Sequence, residues 1–174
     1  MFVAWIVLGK PDLGMALNGC LAGLVAITAP CAFVSVPSAL IIGIIAGIIV
    51  VFGVRFFDRI KIDDPVGATS VHLLNGIFGT LALGLWADPT VCPAASVAKA
   101  GLLKGGGMAQ LVPQIIGVVA IGAVVFVVSL VAWSVLKIVL NGIRVSTDEE
   151  REGLDLGEHG NSAYPDFGRS SIIG

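Results

Sequence analysis

One titratable side chain, His72, lies inside an apolar run that begins at Pro65 and ends at Trp86. The run is about 22 residues long, enough to cross a bilayer as a helix. An ionisable group in hydrocarbon is costly, so it normally faces a protein interior or a water-filled path. An imidazole in such a path takes and gives a proton, or hydrogen-bonds a small polar solute that has left its water behind. The bland alternative is a neutral imidazole that bonds a neighbouring helix and only holds the two together. Helical spacing puts Ala68, Thr69, Asn75, Gly76 and Gly79 on the His72 face. These are the small or polar side chains that a narrow hydrophilic path needs. Val71, Leu74, Phe78 and Leu81 form the opposite, apolar face.

The other reactive groups are less specific. Asp63 and Asp64 could be a paired-carboxylate site, but such acids more often cap a helix and complement its dipole. In that reading Asp64 is the N-cap and Pro65 takes the first helical position. Cys20, Cys31 and Cys92 show no metal-ligand spacing, and an odd, scattered count makes no disulfide framework. Cys20 and Cys31 read as small apolar residues in or beside helices, and the state of the loop residue Cys92 stays open. Thr28 and Ser35 read as turn formers rather than ligands. His159 reads as solvated. A Walker loop, a nucleophile elbow, a metal box and a nucleophile–base pair are all missing from the sequence, which argues against an enzyme and implies no metal or cofactor. A net charge of −2 without a basic, aromatic-interleaved patch sets nucleic-acid binding aside.

The elements that must hold His72 follow from composition. Of the 174 residues 56% are hydrophobic and 13% charged, with a mean hydropathy of +0.99. Soluble domains are about one quarter charged. The uncharged stretches are long blocks, so the chain reads as an all-α polytopic membrane protein with about four spans. A transmembrane region, 1–143, carries spans near 13–29, 38–57, 65–87 and 110–140, with 1–8 as the end of a preceding helix. Pro30 and Pro37 divide the first long block at an apolar corner. Small residues (Gly19, Ala22, Gly23 and Ala26, then the Gly43–Gly47 pair with Ala46) let helices approach closely, within one subunit or between two. The uncharged run from Gly105 to Leu136 would be about 45 Å long as a helix, so the last span should tilt or leave the membrane in part.

Lysine and arginine set the orientation. Lys10, the Arg55–Lys61 loop and the tail after Lys137 share one side, which is therefore cytoplasmic. Both ends are then inside. The polar tail, 144–174, opens on Ser146-Thr-Asp-Glu149, a capping-box pattern that Gly153 should end within two turns. Leu154, Leu156 and Tyr164 favour docking on the cytoplasmic face, and the alternative is a disordered tail. Met1 precedes an apolar stretch without a basic leader, so the start reads as the tail of a longer chain's helix.

Three segments together resemble the ammonium transporter (Amt/Mep/Rh) family. They are Asn18–Ser35, Asp63–His72, and Glu149–Asp155 followed by His159, Gly160, Ala163 and Tyr164. Order and spacing match as well, over nearly the whole chain. The resemblance implies an eleven-helix fold of two inverted five-helix repeats plus a long last helix, and a homotrimer with one pore per subunit. The chain then looks like the end of helix seven through helix eleven and the cytoplasmic tail. His72 would be one of two pore histidines, involved in the route of the proton that ammonium loses. Glu149, Arg151, Glu152, Gly153, Leu154, Asp155, His159, Gly160 and Tyr164 would belong to a regulatory tail that couples subunits and lies beneath a docking site for PII-type signal proteins. Many members carry a glycine after the pore histidine where this chain has Leu73, so the close packing at that point is not carried over.

Two functions follow. The first is ammonium or ammonia transport across the plasma (inner) membrane, with His72 in the pore. The second is a short membrane anchor whose tail recruits a PII-type protein.

Overall fold

A computed structural model describes residues 1–91 and 99–161. Cys92 and Tyr164 lie outside the described residues. The described chain is helical: α1 Phe2–Leu8, α2 Leu13–Thr28, α3 Val36–Arg59, a π-helical turn Ala68–Leu73 that runs into α4 Leu74–Trp86, α5 Leu111–Val139, α6 Thr147–Glu152 and α7 Leu154–Gly157. Short 3-10 turns at Leu102–Lys104 and Gly107–Ala109 precede α5. Two compact units divide the chain, Met1–Val124 and Val125–Gly174.

Local chemistry sets the boundaries in the first unit. The Asp12 carboxylate accepts from the Met15 backbone N–H at 2.7 Å and starts α2. Gly9, at φ 77°, lets the chain leave α1. At the far end of α2 the Thr28 hydroxyl bonds back to the Leu24 carbonyl at 2.7 Å. Ala29 keeps helical angles, but Pro30 has no N–H to continue the ladder, and a tight turn follows, with Phe33 N–H on the Pro30 carbonyl at 2.8 Å. The same corner meets the end of α4, where Asp88 N–H donates to the Phe33 carbonyl at 2.7 Å.

Three helices are long and apolar enough to cross a membrane: Val36–Arg59, Ala68–Trp86 and Gly107–Val139. The fourth expected span falls on α2, a shorter apolar helix at Leu13–Thr28. With 16 residues, α2 is about 24 Å long, short of a hydrocarbon core about 30 Å thick, because Pro30 stops it. α5 has no buried residue among its 29. A helix apolar on every side belongs in lipid or deep among other helices.

The core of the first unit is built from small side chains. Ala22 and Ala26 of α2, Ile42, Ala46, Val50 and Val51 of α3, Val71, and Ala82 of α4 are buried in one cluster. Gly79 explains how α2 and α4 come so close. A Cβ there would collide with the Ala26 carbonyl oxygen and lie 2.9 Å from Ala26 Cα. Gly43 and Gly47 are not used in this way, since a Cβ at either would meet nothing within 4 Å among the described residues.

Gly79→Ala should therefore destabilise the protein by about 1–3 kcal/mol, the usual cost of overpacking. Gly47→Ala should be neutral or stabilise by up to about 1 kcal/mol through helix propensity. Thermal unfolding of the two purified variants in detergent checks the contrast.

Candidate functional site

The start of the His72 helix is built by one carboxylate. Asp64 Oδ1 accepts from Thr69 N–H at 2.9 Å. Its Oδ2 accepts from Ser70 N–H at 2.9 Å and from the Ser70 hydroxyl at 2.7 Å. These are free N–H groups of a helix start, which otherwise have no partner in an apolar setting. Asp64 does this from four residues upstream of Ala68. Pro65 is not the first helical residue: it lies in the exposed turn that Gly67 N–H closes on the Asp64 carbonyl at 3.2 Å. Gly67 makes the reach possible, with φ 77° and no Cβ to strike Val71. Asp63 is exposed and separate from this network.

Burial of the Asp64 carboxyl raises its pKa, but the Thr69 and Ser70 amides and the Ser70 hydroxyl outweigh that and hold it at about 2, against an ordinary 3.8. At the other end of the helix, Asp88 is held below its ordinary value by the Thr90 hydroxyl and amide and by Lys104. The Lys104 ammonium lies 3.2 Å from it.

His72 follows two residues after Ser70, inside the π-helical turn. Its N–H donates to the Gly67 carbonyl at 3.3 Å, five residues back rather than four. Leu74 N–H likewise reaches the Thr69 carbonyl. This wide turn alters the expected face. His72 and Ala68 are exposed, and Thr69 and Gly76 are half-buried. Asn75 and Gly79 are buried against the other helices. Val71, expected opposite His72, is fully buried with them. The reason is angular. In an unbroken α-helix, residues seven apart drift by only about 20°, which would put His72 over Gly79. Taking up one extra residue turns it a further 100° or so away.

Sequence spacing missed two partners. Ser70 and Gly67 build the cap with Asp64, and the signal was present in an acid followed by Gly and then Thr-Ser. The Asn75 side-chain N–H donates to the Ser70 carbonyl at 3.2 Å, and no α-helical pattern would have suggested that. No group of three possible metal ligands occurs among the described residues.

The tail is a separate set of contacts in the second unit. Ser146 Oγ accepts from Glu149 N–H at 3.2 Å and starts α6. Gly153, at φ 96°, ends it. Arg144 pairs with Glu150 at 3.4 Å, both well exposed, so the pair adds little stability. Arg144, Ser146, Glu149, Leu154, Glu158 and His159 line an open cleft. Arg151, Glu152, Leu154, Asp155, His159 and Gly160 are all exposed.

The sequence pattern of the Ammonium Transporter Family matches residues 1–164. The chain belongs to the ammonium transporter family. Among its relatives, ammonium transporter Amt2 of Archaeoglobus fulgidus is 43% identical over 169 residues, covering 96% of this chain and 36% of that protein. An ammonium transporter of Mycobacterium tuberculosis is 37% identical over 166 residues, covering 94% of this chain and 34% of its own length. The chain thus spans about a third of the length of these relatives. The crystal structure of Candida albicans Mep2 superposes with a TM-score of 0.73 at 31% identity, covering 86% of this chain and 33% of Mep2. The protein is accordingly an all-α integral membrane protein with the fold of this family over the matched region.

Asp64→Asn should cost about 0.5–2 kcal/mol, the range for a lost cap. The carboxylate's contribution is complete above its unfolded value of 3.8 and is lost as pH falls toward about 2. Acid unfolding of wild type and variant should therefore converge across that window. A constant difference down to pH 2 would contradict the assignment.

Proposed function

We propose that the protein takes part in moving ammonium or ammonia across a membrane through a pore that His72 helps to line. The observation that carries this is a single titratable side chain within the apolar Ala68–Trp86 helix of an ammonium-transporter-family chain. Ammonium is small and strongly hydrated, and a membrane path must replace its water or remove its proton. A neutral imidazole can do either, offering one donor and one acceptor nitrogen. His72 is also held where such a group is useful. Its backbone lies in a turn anchored by Asp64, with half-buried Thr69 and Gly76 three and four residues away in the chain. Ala68 and Gly76, four residues to either side of it in the chain, are small. Asn75 is withdrawn from this path in the proposal and contributes to the wall behind it.

The wider assignment goes with this reading. The working unit is a homotrimer in the plasma membrane, the C-terminus is cytoplasmic, and residues 144–174 receive a PII-type signal protein. Exposed Arg151, Glu152, Leu154 and Asp155, with half-buried Glu149, offer such a partner a charged surface with an apolar point. Nothing observed favours the anchor alternative, since the relatives are named as transporters.

His72→Ala in the intact protein should lower methylammonium uptake on the order of 10²-fold, the scale of losing a positioned proton-transfer group, without loss of assembly. Normal uptake and normal ion selectivity would refute the pore assignment. Deleting 144–174 should abolish co-purification of a PII-type protein while uptake persists.

A further inference from the structure

The π-helical turn leaves a mark that the pore reading does not use. In an α-helix Leu74 N–H would serve the Ser70 carbonyl. Here it serves Thr69 instead, so the Ser70 carbonyl loses its α-helical partner. The Asn75 side-chain N–H fills that place at 3.2 Å. Asn75 is fully buried, and its own Oδ1 has no hydrogen-bond partner among the described residues. A buried amide with one orphaned end is an expensive way to fill a core position. A leucine of similar size would pack there without an orphaned polar atom. The amide is explained if its donor is needed where it points, at the carbonyl that the wide turn sets free.

The consequence for His72 is rotational. α4 is fixed by Gly79 against the Ala26 backbone and by buried Ala82. Continuing that helix backward with α-helical bonds would bring His72 to within about 20° of Gly79, into the contact between α2 and α4. The extra residue of the π turn rotates it about 100° out of that contact and stacks Val71 there in its place, fully buried. Wide turns of this kind are frequent at functional sites.

We propose that Asn75 is the positioning residue of the pore: its buried amide holds the wide turn open at the Ser70 carbonyl and thereby faces His72 into the conduction path instead of the helix contact. The functional half of this rests on the pore assignment of His72. The structural half does not.

The test uses the intact protein in membranes, with Asn75→Leu as the first variant and Asn75→Ala as the second should the leucine variant fail to assemble. Two readouts are needed. One is methylammonium uptake, alone and combined with His72→Ala. The other is the rate at which diethyl pyrocarbonate modifies His72, read on its peptide by mass spectrometry with His159 as the internal standard. Asn75→Leu should lower uptake roughly 10²-fold, the scale of misplacing a reacting group, and slow His72 modification several-fold. It should add nothing in the His72→Ala background. A residue that merely filled space would be replaced by leucine without loss of uptake, so near-normal uptake overturns the positioning role. An equal loss in the His72→Ala background also overturns it. Unchanged His72 modification in both variants overturns the control of the turn. If His72→Ala itself transports normally, the pore assignment falls, and the modification rates still decide whether Asn75 sets the turn.

Discussion

Backbone N–H and C=O groups in hydrocarbon must find partners within the protein, because no water is there to take them. Most of this chain meets that demand with α-helical bonds. The demanding places are where a ladder begins or skips, and the region around His72 contains both. Asp64 supplies acceptors for the two amides and the hydroxyl at the beginning. The Asn75 amide supplies the donor where the ladder skips. The two side chains act from opposite ends of the same six-residue turn, which leaves His72 in a backbone that is both irregular and satisfied.

Close approach between helices is the second requirement. Without a hydrophobic drive between helices in lipid, association depends on contact and on small residues. Gly79 against Ala26, with Ala22, Ala46 and Ala82 nearby, brings α2, α3 and α4 together. That contact fixes the rotation of α4 and so defines what the wide turn above it is rotated against. Apolar α5 has none of its residues buried, which agrees with a chain spanning about a third of its relatives' length.

The irregular turn and the family membership bear on each other. A regular helix would have set His72, Asn75 and Gly79 on one stripe, a plausible path lining when read from spacing. The observed turn separates them into an exposed His72 and a buried Asn75 and Gly79. In the proposal the path lining beside His72 is correspondingly Ala68, Thr69 and Gly76. Its partners in the intact pore belong to the proposal.

Much was legible in the sequence because it depends on local rules. Long uncharged blocks require lipid, Pro30 divides a block, Ser146 suits a helix start, and Gly153 suits a stop. The family motif around His72 is likewise a linear pattern. Tertiary structure decided what spacing could not. Pro65 looked like a first helical residue, but Gly67 and the reach of Asp64 moved the start to Ala68. The Gly43–Gly47 pair looked like a packing face, yet among the described residues the close approaches fall at Gly79 against Ala26 and at Gly84 against Leu111. The face of His72 could not be read from a period of 3.6, because a single extra residue in one turn rotates everything before it. That residue is held by a side-chain amide whose partner is defined only once the chain has folded.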